Sequence, residues 1–277
     1  MKIAISAESS ADLTKELQKK FNIHTIPLTI ILGDKEITDN ETVSSRIFDF
    51  VSQTKIMPKT CAINEYQFRE YFENLLKDYD AVIHISMSSH ISCTCANAMA
   101  AAKNMKNVYV IDSLSLCAGI GLLAIQASKL NSQGASCEQI IKQIKKLIPQ
   151  VRLNFVPNKL DYLKNGGRVT ALQLLGANLL KIHPTITMKD GKTGVGKKYI
   201  GNMDICFKKL CEDVVAKYNP DKSLVLIAYT TITDKQLQFA YDFLKEQGFE
   251  EIYDVRANGT ISSHCGESAM GIMFFEQ

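Results

Sequence analysis

Apolar and polar residues alternate between two periods along the first half of this chain. Lys2–Ser6 and Ala81–Ser86 are short apolar runs that read as buried strands, as do Ile23–Leu32 and Val108–Ile111. Between them lie segments with apolar residues at helical spacing. Leu13, Leu17 and Phe21 share one face of a helix predicted over Asp12–Phe21, with Ser9 or Ser10 as its cap. Helices are also predicted over Val43–Gln53, over Glu65–Lys77 behind an Asn64 cap, and over residues 95–105. Cys117–Asn131 is a long, almost wholly apolar helix, and Ser136 caps another over Cys137–Leu147. Strand and helix in alternation argue for a mainly parallel sheet with helices on its faces.

The pattern changes after Pro149. Val151–Val156 is a strand, and Leu160–Leu163 is a helical turn stopped by Asn165-Gly166-Gly167. A helix is expected over Thr170–Ala177. Asp190-Gly191 joins Lys181–Met188 to Thr193–Tyr199 as a hairpin. Helices over 203–218 and 233–246, strands over 223–229 and 250–255, and a last strand Gly271–Phe275 complete a mixed half. The expectation is therefore an α/β protein of two domains. Residues 1–149 form an N-terminal, mainly parallel domain and 150–277 a C-terminal mixed α/β domain, with the ligand site near their junction.

In open α/β sheets ligands sit beyond the carboxyl ends of the strands. Ser9, Ser88 and Ser113 each follow a strand there. The densest such loop is Ser88-Ser89-His90-Ile91-Ser92-Cys93-Thr94, which opens a helix. Unpaired N–H groups at a helix start, with hydroxyls beside them, can seat a carboxylate or phosphate. Plain helix capping explains the same residues equally well. Thr60, in the loop Met57–Asn64, and His264, in the donor-rich stretch Asn258–Ala269, are further candidates for an anion.

Composition narrows the classes. The 277 residues are 46% hydrophobic, enough for a real core. The 32 basic and 29 acidic residues leave a net charge of +3, which is no footprint for nucleic acid. No secretory h-region is visible, and Ser115–Ala127 is too short and interrupted to span a bilayer. Eight cysteines without framework spacing suggest free thiols in a reducing, cytoplasmic setting.

Several stretches together resemble the DegV family, the fatty-acid-binding subunits of bacterial fatty acid kinase. Ile5-Ser6-Ala7-Glu8-Ser9-Ser10-Ala11-Asp12-Leu13 is similar to its D-S-T-A-D-L opening, with Glu8 for the usual Asp. Ile26-Pro27-Leu28 with Asp39 resembles its V-P-L strand and acidic loop. Ser88–Thr94 resembles S-S-x-L-S-G-T, with Cys93 for Gly. Asp112–Ser115 resembles D-S-x-S, Leu163–Arg168 resembles L-x-x-G-G-R, and His264-Cys265-Gly266 with Gly271 resembles the terminal glycine-rich loop. The chain departs from the family at Cys61-Ala62-Ile63-Asn64, at Gly266-Glu267-Ser268 and around Lys197–Asn202, where the usual arginines are missing.

The resemblance implies a non-catalytic carrier that binds a long-chain fatty acid and presents its carboxylate to a separate kinase subunit, with no cofactor. It implies that Thr60, Ser92 and His264 bond the carboxyl group, with Cys61 among the backbone donors, and that the acyl chain fills an apolar tunnel. Arg168 is assigned to partner docking or to the charge of the new phosphate. Membrane contact is expected only in passing, and the chain is expected as a monomer.

Two other readings compete. Cys61, Cys93, Cys95 and Cys265 with His264 could form a thiol or soft-metal site, although Cys93 and Cys95 would point to different helix faces. Ser92 with His264 could form a hydrolase pair, although no nucleophile-elbow motif or acidic partner is evident.

Overall fold

The computed structural model describes residues 1–169 and 182–277. The helix expected over Thr170–Ala177 lies outside them. Three sheets organise the described residues. A four-stranded parallel sheet, in the order β2-β1-β6-β7, is built from β1 (Ile3–Glu8), β2 (Ile23–Ile26), β6 (Ala81–Ser86) and β7 (Val108–Asp112). All its strands precede Ser113. A six-stranded mixed sheet, in the order β10-β9-β8-β13-β11-β12, follows residue 150. It comprises β8 (Val151–Val156), β9 (Ile182–Lys189), β10 (Lys192–Ile200), β11 (Pro220–Tyr229), β12 (Glu251–Arg256) and β13 (Met270–Glu276). The α/β class, with a mainly parallel first sheet and a mixed second half, is as the periodicity implied.

The helix α5 (Ala118–Ser132) explains its own apolar sequence. It packs on β1 and β6 of the parallel sheet and on β8, β11 and β13 of the mixed sheet. Covered by a sheet on either side, its stretch Ala118–Ile125 has no solvent face and is apolar all round, and polar residues return only from Gln126 onward. Ile120, Leu122, Leu123, Ala124 and Ile125 are fully buried there, in one core continuous with Leu226 and Met273 of the second sheet. The outer face of the mixed sheet is closed by α8 (Met203–Lys217) and α9 (Asp234–Glu246) around Phe207, Leu210 and Phe274. Outside the parallel sheet, α3 (Glu65–Leu75) buries Phe68 and Phe72. Its expected cap is present: Asn64 accepts from the Gln67 N–H at 2.9 Å and Gln67 answers the Asn64 N–H at 3.0 Å. Ser136 and Gln139 cap α6 (Cys137–Leu147) in the same reciprocal way.

Three expectations need correction. The run Ile23–Leu32 is not one strand. It breaks at Pro27, which has no N–H for a ladder. Beyond the break, β3 (Thr29–Leu32) leaves the parallel sheet for a small antiparallel one with β4 (Lys35–Thr38) and β5 (Lys59–Cys61). The helix expected over Asp12–Phe21 begins only at Lys15, as α1 (Lys15–Lys20), and Thr14 caps it rather than Ser9 or Ser10. Asp12 is withheld from it in a left-handed conformation, φ 55°, because its carboxylate is held elsewhere. The stretch Asn258–Ala269, read as a loop, contains the helix α10 (Gly259–Cys265).

At the hairpin tip Asp190 and Gly191 both take positive φ, 50° and 75°, the primed turn that suits a two-residue connection.

A buried apolar cavity between the sheets

A cavity of about 350 Å³ lies where the halves meet. Its lining comes from both: Leu28, Thr60, Met87, Ile91, Ser92 and Leu116 from the first, and Phe155, Leu163, Arg168, Val169, Ile186, Thr193 and His264 from the second. Most of these groups are hydrocarbon. Leu116, Phe155, Ile261 and Cys265 also border a void of about 20 Å³ that continues among Ala228, Ala257, Ala269 and Met273. The cavity therefore has an apolar inner end and, at Thr60 and His264, a polar one.

The polar end is built by strand alternation and by one short helix. On β5, Thr60 faces the cavity while the neighbouring Cys61 side chain is exposed and outside the lining. On α10, Thr260, Ile261, His264 and Cys265 fall on one face and all line the cavity. Thr60 Oγ1 and His264 Nε2 share a hydrogen bond of 3.1 Å across 204 positions of sequence. His264 Nδ1 is buried without a partner among the described residues. Burial, and then the Arg168 charge, holds the His264 pKa down at about 4, so the ring is neutral at pH 7 and one nitrogen carries a proton to donate.

That depressed value has a consequence for stability. The unfolded chain protonates this histidine below about pH 6.5, whereas the folded chain does not until about pH 4. Its contribution is thus intact above pH 6.5 and is lost as pH falls towards 4. Denaturant unfolding of the ligand-free protein should show wild type losing up to about 3 kcal/mol relative to His264→Gln between pH 7 and pH 4. A constant difference across that range would contradict a buried neutral ring.

Two buried carboxyls hold α10 in place. Asp12 Oδ1 accepts from the Asn258 N–H at 2.8 Å, and its other oxygen from Cys117 Sγ at 2.8 Å. Asp39 Oδ1 accepts from the Thr260 N–H at 3.1 Å, and its other oxygen from Ser9 Oγ at 2.7 Å. Burial pushes both carboxyls above the usual range. A third buried carboxyl, Glu8, accepts from the Met87 N–H at 3.0 Å, from Ser86 Oγ and from His84 Nε2 at 3.3 Å. His84 Nδ1 in turn shares a 2.9 Å bond with Ser6. Glu8 thereby anchors the start of the Ser88 loop, next to the cavity-lining Met87. Periodicity passes over all three, because an acidic residue in an apolar surrounding carries no periodic signal.

The serines after the strands are structural. Ser9 bonds Asp39, Ser88 Oγ donates to the Gly191 carbonyl at 2.7 Å, and Ser113 Oγ donates to the Ser115 carbonyl at 3.3 Å. None of the three lines the cavity. Ser92 does line it, and also accepts from the Thr94 N–H at 3.2 Å as α4 (Thr94–Ala102) begins. Arg168 is exposed at the rim, its guanidinium donating to the Gly166 carbonyl at 2.7 Å.

Gly166 is needed where it stands. A Cβ there would lie 2.3 Å from His264 Nδ1, a separation no real contact shows. Gly166→Ala should displace the imidazole and weaken ligand binding about tenfold while the fold survives. Unchanged affinity by titration would show that the ring position is unimportant.

The competing readings find no geometry. Cys61 and Cys93 are exposed while Cys95 and Cys265 are buried, and among the described residues no group of three or more His, Cys, Asp or Glu could hold a metal ion. His264 is bonded to Thr60 rather than to Ser92, so the expected Ser92–His264 pair is not formed among the described residues.

Fold and site define an α/β protein with a two-ended cavity enclosed between a parallel and a mixed sheet. The chain belongs to the DegV family: the family model, "uncharacterised protein, DegV family", matches residues 2–277. It is 30% identical to a DegV domain-containing protein of Caldanaerobacter subterraneus, over 100% of this chain and 99% of that one. It is 29% identical to the DegV protein of Bacillus subtilis, over 98% of each. Among solved structures it matches a fatty-acid-binding DegV family protein of Thermus thermophilus with TM-score 0.91 at 23% identity, over the full length of both. It matches the structure of DegV, a fatty acid binding protein from B. subtilis, with TM-score 0.84 at 25% identity, again over both full lengths. Among the described residues no helix is long and apolar enough to cross a membrane.

Proposed function

We propose that this protein binds one long-chain fatty acid and presents its carboxylate to a separate fatty acid kinase subunit. The observation that carries the reading is a cavity with mostly hydrocarbon walls into which Thr60, Ser92 and His264 bring polar groups. There the hydrogen-bonded pair of neutral His264 and Thr60 keeps one proton free to donate to a carboxylate, without a buried cation. Ser92 and the backbone N–H of Cys61 complete the head-group seat. Residues 1–149 thus supply Thr60, Cys61 and Ser92, and residues 150–277 supply His264 and Arg168, so the ligand spans the division between two domains. The fatty-acid-binding relatives of the same fold support this use of the cavity.

The energetics suit such a ligand. Burial yields about 0.8 kcal/mol per methylene, so ~14 methylenes give roughly 11 kcal/mol before the costs of association. The head group then supplies orientation more than affinity. Arg168, which lines the cavity and lowers the His264 pKa by its charge, would meet the charge of a phosphorylated head group. In that step a carboxylate oxygen attacks the γ-phosphorus of ATP, ADP leaves, and an acyl phosphate remains on the carrier.

The test is to mix loaded protein with a bacterial fatty acid kinase catalytic subunit and ATP, and to trap acyl phosphate with hydroxylamine. Acyl hydroxamate that depends on this protein, and falls at least about tenfold with Arg168→Ala, supports presentation. Fatty acid bound but never phosphorylated would leave a carrier and remove the kinase role.

A further inference from the structure

A second and larger concavity lies behind the β9–β10 hairpin. It is a cleft of about 740 Å³, and it shares no lining residue with the fatty-acid cavity. The hairpin contributes to both, with Ile186 and Thr193 lining the cavity and Thr187, Met188 and Val195 lining the cleft.

The charge of the cleft is one-sided. Lys145 at the end of α6, Arg152 on β8, Lys189 at the hairpin and Lys217 at the end of α8 converge on it, against Asp190 as the one acidic residue in the lining. The Arg152 guanidinium is met by Glu276 and lies 5.3 Å from the centre of the Tyr218 ring. Lys145, Lys189 and Lys217 are exposed and have no carboxylate partner among the described residues. Lys217 Nζ lies 4.7 Å from the centre of the Tyr218 ring, so the same aromatic ring holds two cations of the cleft, Lys217 and Arg152. Ser115, 2% exposed, also lines the cleft, with its Oγ turned against Gly119 of α5.

We infer that this cleft is a binding site for a small soluble anion carrying two or more phosphoryl groups. Three separated ammonium groups match a ligand whose charge is spread over several oxygens, and a lone phosphate reaches fewer of them. The recessed lining, with Ser115 in it, favours a compact free anion over a flat bilayer surface. The site stands apart from the fatty-acid reading, because none of its cations touches that cavity.

The experiment is calorimetric titration of the full chain with inorganic pyrophosphate at physiological salt, repeated with orthophosphate and with Lys145→Gln/Lys217→Gln. Saturable one-to-one pyrophosphate binding, weakened about tenfold or more in the double variant and by orthophosphate in place of pyrophosphate, supports the site. Absence of saturable pyrophosphate binding overturns it, as does equal affinity in the variant. Sedimentation with vesicles of anionic phospholipid distinguishes the source. Retention on vesicles without pyrophosphate binding would assign the lysines to a membrane surface and also overturn the proposal. The fatty acid content of the double variant should equal that of wild type, which keeps this outcome separate from that of the carrier reading.

Discussion

His264→Ala should lower the affinity for a long-chain fatty acid by about ten- to a hundredfold, and Thr60→Val should do nearly the same. Each variant would disrupt the hydrogen bond that the pair donates to a charged carboxylate, worth roughly 1.5–3 kcal/mol, and each tenfold in affinity corresponds to about 1.4 kcal/mol. The two losses are not additive, because Thr60 and His264 are bonded to each other at 3.1 Å in the free protein and act as one unit. The double variant should therefore bind little worse than either single one. Titration with a fluorescent long-chain fatty acid checks this, and a double variant weaker than either single by their full product would show independent contacts. Apolar burial is untouched in all three proteins, so binding weakens without vanishing.

Gly271→Ala should cost about 3 kcal/mol or more of stability. Gly271 sits in β13, between β8 and β11, opposite Phe155 and Ala228. A Cβ there would lie 2.3 Å from the Asn154 carbonyl oxygen and 2.5 Å from Phe155 Cβ. The first neighbour is backbone in the middle of a sheet and cannot turn aside as a long side chain could. Phe155 lines the cavity, so strain at this point also reaches the ligand site. For a domain of this size the melting temperature should fall by roughly 6 °C or more. A melt within about 1 °C of wild type would show that the strands part without cost.

Much of this was legible in the chain, and the residues show why the rest was not. The alternation up to Leu147 gave the parallel sheet, because its strands are short apolar runs and its helices keep one apolar face. The hairpin was legible because Asp190-Gly191 is local turn chemistry. The helix α10 was not, since glycine, serine, threonine and histidine are weak helix formers. Its order comes from Asp12 and Asp39, which are 246 and 221 positions away from the groups they accept. Periodicity cannot register such partners. Pro27 was visible, but its meaning was not: the residues on either side of it belong to different sheets. Thr60, Ser92, Arg168 and His264, named from motif resemblance, do line one cavity. Cys61 does not line it with its side chain, because strand alternation turns it outward. Glu8 was noted only as a departure from the family's opening, and its three bonds at the base of the Ser88 loop need the fold to be seen.

Native mass spectrometry of the protein as purified from a bacterial host, followed by organic extraction and lipid identification, tests fatty acid carriage most directly. One fatty acid per chain, depleted in His264→Ala, is the predicted result. A chain that arrives empty and also fails to take up added long-chain fatty acids would contradict it.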